Sequence, residues 1–204
     1  MARRKIFLDK VFGGEIKFQN DAEFVETKDG RKIPFTSLSS GQQELLPMWS
    51  LVDYFGQMDH FRSKSSTINK FTSKELIYIE EPEAHLFPSA QSMLLEFLIS
   101  STSTNSRNRQ LIMTTHSPYI MGKLNVFLKA GQLSKRKKIN TKINEVVPRD
   151  CWLTSNDLSA YSISNGELKN LIDDDGLIDG TYLDQISEDI SLEYSKLLEL
   201  EATL

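Results

Sequence analysis

The sequence predicts an α/β fold, with a mostly parallel central sheet, flanking helices and a small antiparallel N-terminal portion. Three observations predict it. Leu76-Ile77-Tyr78-Ile79 and Leu111-Ile112-Met113 are short apolar runs, the kind that form strands buried on both faces. Between them, after Pro88, an apolar stripe of Met93, Leu94, Phe97 and Leu98 reads as a helix. Strand, helix, strand at this spacing is a βαβ unit, which makes the two strands parallel. Upstream, residues 6 to 36 alternate apolar and polar, with Gly13-Gly14 and Asp29-Gly30 as turn signals. Ile16, Phe18, Phe24, Val25, Ile33 and Phe35 then suggest short antiparallel strands joined by hairpin turns.

The remaining elements follow from period and punctuation. From Ser40 the pattern turns helical, since Leu45, Trp49, Val52 and Phe55 recur at spacings of three and four. Ser40 and Gln43 make a capping box, and Pro47 predicts a kink or a late helix start. Residues 56 to 75 are rich in Ser, Lys and Thr and read as a mobile surface loop. After Ser117-Pro118 a short helix is expected, then a strand at Val126-Phe127-Leu128 and small strands near Val146, Tyr161 and Leu171. A final amphipathic helix starts at about Tyr182, with Ile186, Ile190, Tyr194, Leu197 and Leu198 as its buried face. No internal repeat is present.

Composition narrows the class. The 204 residues are 39% hydrophobic and 25% charged, as expected of a soluble globular chain. No apolar run approaches the roughly 18 residues of a membrane span, and the basic start, Met1 to Lys5, leads into no signal-peptide core. The single cysteine, Cys151, forms no internal disulfide and sits in no metal-ligand spacing. A cytoplasmic location is the expectation. The net charge of −4 hides an asymmetry. From Asp150 onward there are 13 acidic and 2 basic residues; before it, 15 acidic and 22 basic. The basic body suits an anionic partner, although a solvated face explains a charge run as well.

Three sites carry residues with chemistry to offer. Glu80 and Glu81 end the first buried strand, and in open α/β sheets ligands bind outside the carboxyl ends of strands. A hydrophobic strand followed by an acidic pair is the Walker B arrangement: one carboxylate helps hold Mg²⁺ and the next polarises a water for attack on a γ-phosphate. The bland alternative is a strand ending in solvated charges. His116 ends the second strand, which in the predicted topology lies beside the first; a structural histidine is the alternative there. In Leu38-Ser39-Ser40-Gly41-Gln42, a Ser-Ser-Gly loop opens a helix and offers amides, hydroxyls and a helix dipole to an anion. Alone it is also simply a good helix start.

Together these motifs resemble the C-terminal half of the ABC-type ATPase domain, a P-loop NTPase fold. Leu38 to Gln42 is similar to that family's Leu-Ser-Gly-Gly-Gln signature, with Ser40 in place of the first glycine. Leu76 to Pro82 resembles its Walker B with catalytic glutamate, and His116 its switch histidine. Glu80 to Pro88 and Thr115-His116-Ser117-Pro118 resemble the soluble OLD-like and anti-phage defence branch, related to DNA-repair and SMC-type ATPases. The resemblance covers residues 1 to 130, leaving 131 to 204 as a C-terminal extension of short strands and a helix. It implies ATP and Mg²⁺ as ligands, with Glu80 at the metal position, Glu81 as general base or water-orienting group, and His116 at the γ-phosphate. It further implies that Ser39, Ser40, Gly41 and Gln42 touch nucleotide on an opposing subunit, hence a homo-oligomer. The family's D-loop aspartate has no counterpart, since Phe87 stands near its place.

The family's phosphate loop, Gly-x-x-x-x-Gly-Lys-Ser/Thr, is absent: the only Gly-Lys pair, Gly122-Lys123, is followed by Leu124 and comes after the histidine. The expectations that follow are a truncated chain, a split half with a separate partner, or a degenerate paralogue that serves as a non-catalytic scaffold. A half-domain would also leave a sheet edge and an apolar face uncovered. Asp173-Asp174-Asp175-Gly176 reads as an acidic turn rather than a nuclease metal site. Lys135-Arg136-Lys137-Lys138 is the segment suited to nucleic acid, with a solvated loop as its alternative.

Overall fold

The structure is a computed structural model that describes residues 2–19, 22–64, 75–102 and 109–201. The chain forms two compact units, residues 1–115 and 116–204.

The first unit opens with helix, where strand was expected. Helix α1 (Ala2–Phe7) runs into a π-helical turn, Leu8–Phe12, closed by Gly13 at φ +76°. Phe7, Leu8 and Phe12 point into the core, and spacing of that kind is helical rather than alternating. Antiparallel pairing begins at β1 (Gly14–Gln19) and continues through β2 (Ala22–Thr27) to β3 (Lys32–Pro34). Register places Ile16 opposite Val25 and Val25 opposite Ile33, so one apolar face forms around the fully buried Val25.

Helix α2 (Ser40–Lys64) begins at Ser40 and runs on across Pro47, so the late start does not occur. Its inner face, Leu45, Trp49 and Val52, packs with Leu94 and Leu98 of α3 (Pro88–Thr102) into the core of this unit. Phe97 stacks on Phe7 at 5.3 Å, and Trp49 meets Phe12 edge-on at 6.4 Å. Residues 56–64, expected in a mobile loop, belong to α2; residues 65–74 of that expectation lie outside the described residues.

The βαβ unit is as the sequence predicts. Strands β4 (Glu75–Glu80) and β5 (Arg109–Thr114) pair in parallel, in register from Glu75–Arg109 to Glu80–Thr114. Arg109 is buried and its guanidinium grips the Glu75 carboxylate at the start of the pair (Nε at 2.9 Å). Burial on both faces does not hold, however. Ile79, Leu111 and Met113 pack on the core, whereas Leu76, Tyr78 and Ile112 on the other face are 60%, 59% and 48% exposed.

In the second unit, α4 (Pro118–Ser134) starts at Ser117, whose Oγ accepts from the Ile120 N–H at 3.3 Å, with Pro118 in its first turn. The expected strand at Val126–Leu128 is part of this helix. Phe127 and Leu128 are buried with Ile120, Leu124 and Gly131, a spacing of three and four that a three-residue window conceals. Val146 likewise ends a helix, α5 (Asn140–Val146), and is exposed. A hairpin of β6 (Tyr161–Ser164) and β7 (Glu167–Asn170) turns on Asn165-Gly166, both at positive φ. Asp173 to Gly176 is a turn, in which Leu177 N–H donates to Asp173 Oδ1 at 2.8 Å and Gly176 N–H to the Asp173 carbonyl at 3.0 Å. Lys135 to Lys138 are all exposed between α4 and α5.

Helix α6 (Thr181–Glu201) is capped by Asp179, which accepts from both the N–H and the hydroxyl of Thr181. Those hydrogen bonds hold the Asp179 carboxyl below the usual aspartate range. Of the face expected to be buried, Ile190, Tyr194, Leu197 and Leu198 are 61%, 64%, 62% and 47% exposed, and the side chain of Ile186 lies outside the described residues. The amphipathic pattern is real, but periodicity records a face able to be covered and does not say what covers it. None of the described helices is long and apolar enough to cross a membrane.

Candidate functional site

The site of interest lies at the carboxyl ends of β4 and β5. Glu80 is the last residue of β4 and pairs with Thr114. Its side chain alternates outward with Leu76 and Tyr78 and is exposed. The chain then turns sharply. Glu81 adopts φ +43°, in the left-handed region that side chains other than glycine rarely enter. Its N–H donates to the Thr114 carbonyl at 3.1 Å and lies 3.3 Å from Thr114 Oγ1, so the end of β5 fixes the turn. Such a conformation costs on the order of 1–2 kcal/mol and persists where the surroundings over-determine it, most often at functional sites. The Glu81 carboxylate is left exposed at the rim of the sheet.

The loop from Glu81 to Phe87 is tied down on two sides. Thr115 Oγ1 donates to Glu83 Oε1 at 2.5 Å, which joins the loop to the residue after β5. His85, also at positive φ (+56°), sits with Nδ1 2.9 Å from Glu44 Oε2 on α2. Both partners of that bond are more than half exposed, so it contributes at most about 1 kcal/mol. The tighter link is steric. A Cβ at Gly41 would lie 2.4 Å from the His85 carbonyl oxygen, so the first turn of α2 touches the loop backbone only because residue 41 is glycine. Sequence reasoning missed Glu44, Glu83, His85 and Thr114 here. Their roles come from partners 32 to 41 residues away, which no local pattern reveals.

The loop Ser39 to Gln42 opens α2 as the sequence predicts, with its capping box one residue earlier than Ser40–Gln43. Ser39 Oγ accepts from the Gln42 N–H at 3.4 Å, and Gln42 Oε1 accepts from the Ser39 N–H at 3.1 Å. The Ser39 hydroxyl also donates to Gln42 Oε1 at 3.1 Å, and Gln42 Nε2 donates to the Val11 carbonyl at 2.7 Å. Gln43 serves a different purpose, donating to the carbonyls of Thr36 and Leu38. The polar ends of Ser39 and Gln42 are therefore engaged within the chain, whereas Ser40 is exposed.

A groove of about 580 Å³ runs between α2 and β4; Glu80 and Glu81 line it, with Glu44 on the α2 side, whereas the Ser39–Gln42 loop is not part of its lining. Glu44, Met48 and Leu51 form its α2 wall; Tyr78, Glu80 and Glu81 belong to the opposite wall and its end. Its carboxylates suit a hard divalent cation, which prefers oxygen donors. Among the described residues no Lys or Arg lines it. Among the described residues no three His, Cys, Asp or Glu side chains converge on one point, so a cation here would complete its shell with water and ligand oxygens. His116, the third predicted motif, opens the second unit directly before the α4 cap, with its ring exposed.

A family profile described as the AAA ATPase domain matches residues 4–121, more than half of the chain. No curated protein and no solved structure matches it. The matched span contains the Ser39–Gln42 loop, Glu80, Glu81 and His116. It also contains the parallel β4–β5 pair, on whose carboxyl end the acidic residues stand. The chain thus belongs to the AAA ATPase domain family, P-loop enzymes of ATP binding and hydrolysis.

Proposed function

We propose that this chain supplies the metal-binding and water-orienting half of an ABC-type ATPase head, with the phosphate-gripping loop contributed by another polypeptide segment. The observation that carries this reading is the strained Glu81, which directly follows β4 and is held at φ +43° by Thr114 at the end of β5. Strain of this kind in a glutamate persists where the surroundings over-determine it, often at functional sites.

In this reading Glu80 would hold Mg²⁺ through a carboxylate oxygen. The metal, when bound, neutralises charge on the β- and γ-phosphates. Glu81 accepts a hydrogen bond from the attacking water and orients it in line with the bond to be broken. His116 donates to the γ-phosphate and registers its presence. Ser39, Ser40, Gly41 and Gln42 face nucleotide on an opposing head, in a manner like the OLD-like branch. The exposed Leu76, Tyr78 and Ile112 supply an apolar face for the added segment, and Phe87, 82% exposed at the end of the Glu81 loop, supports a surface that meets another head. Contact with nucleic acid falls on the exposed Lys135 to Lys138.

A second reading, a non-catalytic scaffold subunit, is favoured by one observation. Ser39 and Gln42 already satisfy each other, so nucleotide contact would require them to separate.

The test is ATP turnover. The chain alone is expected to show none above background, and turnover is expected when a polypeptide carrying Gly-x-x-x-x-Gly-Lys-Ser/Thr is added. Glu81→Gln should then bind ATP while slowing turnover about 100-fold or more. Mixing Glu81→Gln with Ser39→Arg should recover one of two sites, because each variant supplies what the other lacks. No recovery in proven mixed dimers rejects the opposing-head role of Ser39. Equal turnover by Glu81→Gln and wild type rejects the catalytic reading.

A further inference from the structure

Helix α6 spans about 30 Å. Helices of this length draw most of their stability from packing an apolar face. Yet every described side chain from Asp189 to Glu201 is exposed. Its sequence has a second, narrower regularity inside the apolar stripe. Leu183, Ile186, Ile190, Glu193, Leu197 and Leu200 follow one another at spacings of three and four. Those positions make three successive a/d pairs of a coiled-coil seam, with β-branched or γ-branched apolar residues at every one except Glu193.

The charges beside the seam say what fits it. Lys196 is the only basic residue of α6, against six acidic ones. It directly precedes the seam residue Leu197, and Glu201 lies five residues further, on the other flank. In a parallel two-stranded coiled coil this spacing brings Lys196 of one helix to Glu201 of the other, twice by symmetry. We propose that α6 pairs with α6 of a second copy of this chain as a parallel, in-register coiled coil, with Ile190 and Leu197 in the seam and Lys196–Glu201 pairs across it. Glu193 then sets two carboxylates against each other in the middle of the seam, which keeps the association weak and reversible.

The 204-residue chain is examined by sedimentation equilibrium, with circular dichroism to verify folding. The wild-type chain is expected to dimerise in the micromolar range, around 10–100 μM. Leu197→Asp should weaken dimerisation about 100-fold, and Glu193→Leu should tighten it about 10-fold, a gain that misfolding does not produce. Lys196→Glu should weaken it about 3-fold, and the swap Lys196→Glu with Glu201→Lys should restore it to within about 2-fold of wild type. A wild-type chain that stays monomeric overturns the proposal. A swap no tighter than Lys196→Glu, or a Glu193→Leu variant no tighter than wild type, overturns the parallel pairing of copies.

Discussion

The backbone of Gly41 passes so close to that of His85 that a Cβ on residue 41 would stand 2.4 Å from the His85 carbonyl oxygen. The first turn of α2 and the loop that follows Glu81 are therefore one mechanical piece, with a second tie from Glu44 to His85 at 2.9 Å. Whatever moves the Ser39–Gln42 loop also bears on the loop that carries Glu81.

Gly41→Ala should force these two backbones apart. Backbone on backbone cannot yield as a flexible side chain does, so a loss of about 2–3 kcal/mol is expected in urea unfolding. The amide signals of Glu83 to Leu86 should shift with it. A variant as stable as wild type, with those signals unmoved, would show that the contact is looser than the structure has it.

Glu81→Gly should relieve the left-handed strain at φ +43°. Set against the extra chain entropy of glycine, the gain is expected to be small, about 0.5–1 kcal/mol, while ATP turnover in the reconstituted enzyme disappears. Stability rising as activity falls is the signature of strain kept for function. Loss of both together would instead mark Glu81 as a structural residue.

Ser39 and Gln42 cap α2 through each other, so their contributions should not be independent. Ser39→Ala and Gln42→Ala should each cost about 1 kcal/mol. The double variant should cost clearly less than the two singles combined, because removing either partner already breaks the box. Additive losses would show that Gln42 acts through the Val11 carbonyl, its other partner at 2.7 Å, rather than through Ser39.

The βαβ unit and the positions of the acidic pair and the Ser-Ser-Gly loop were legible in the sequence because they are local. A strand of apolar residues, a proline opening a helix and a charge at a strand end each follow from a few neighbouring residues. The misreadings came where a window was too short to hold a period. Phe127 and Leu128 look like strand until Ile120, Leu124 and Gly131 are counted with them. The opening residues look alternating until Phe7, Leu8 and Phe12 are seen to share a core.

By itself, then, the sequence determined the element types at the centre of the chain and where its acidic pair and Ser-Ser-Gly run stand, and it contains no Gly-x-x-x-x-Gly-Lys-Ser/Thr run. Only the tertiary structure decided that Glu81 is strained, that Gly41 abuts His85, and that Ser39 caps through Gln42 rather than Ser40 through Gln43. It also decided which apolar faces are covered: Ile79 and Met113 are packed, whereas Tyr78 and Leu197 remain exposed. The physical reason is that hydrophobicity states how much a surface gains by burial, whereas the partner that buries it is fixed by contacts between residues far apart in the chain.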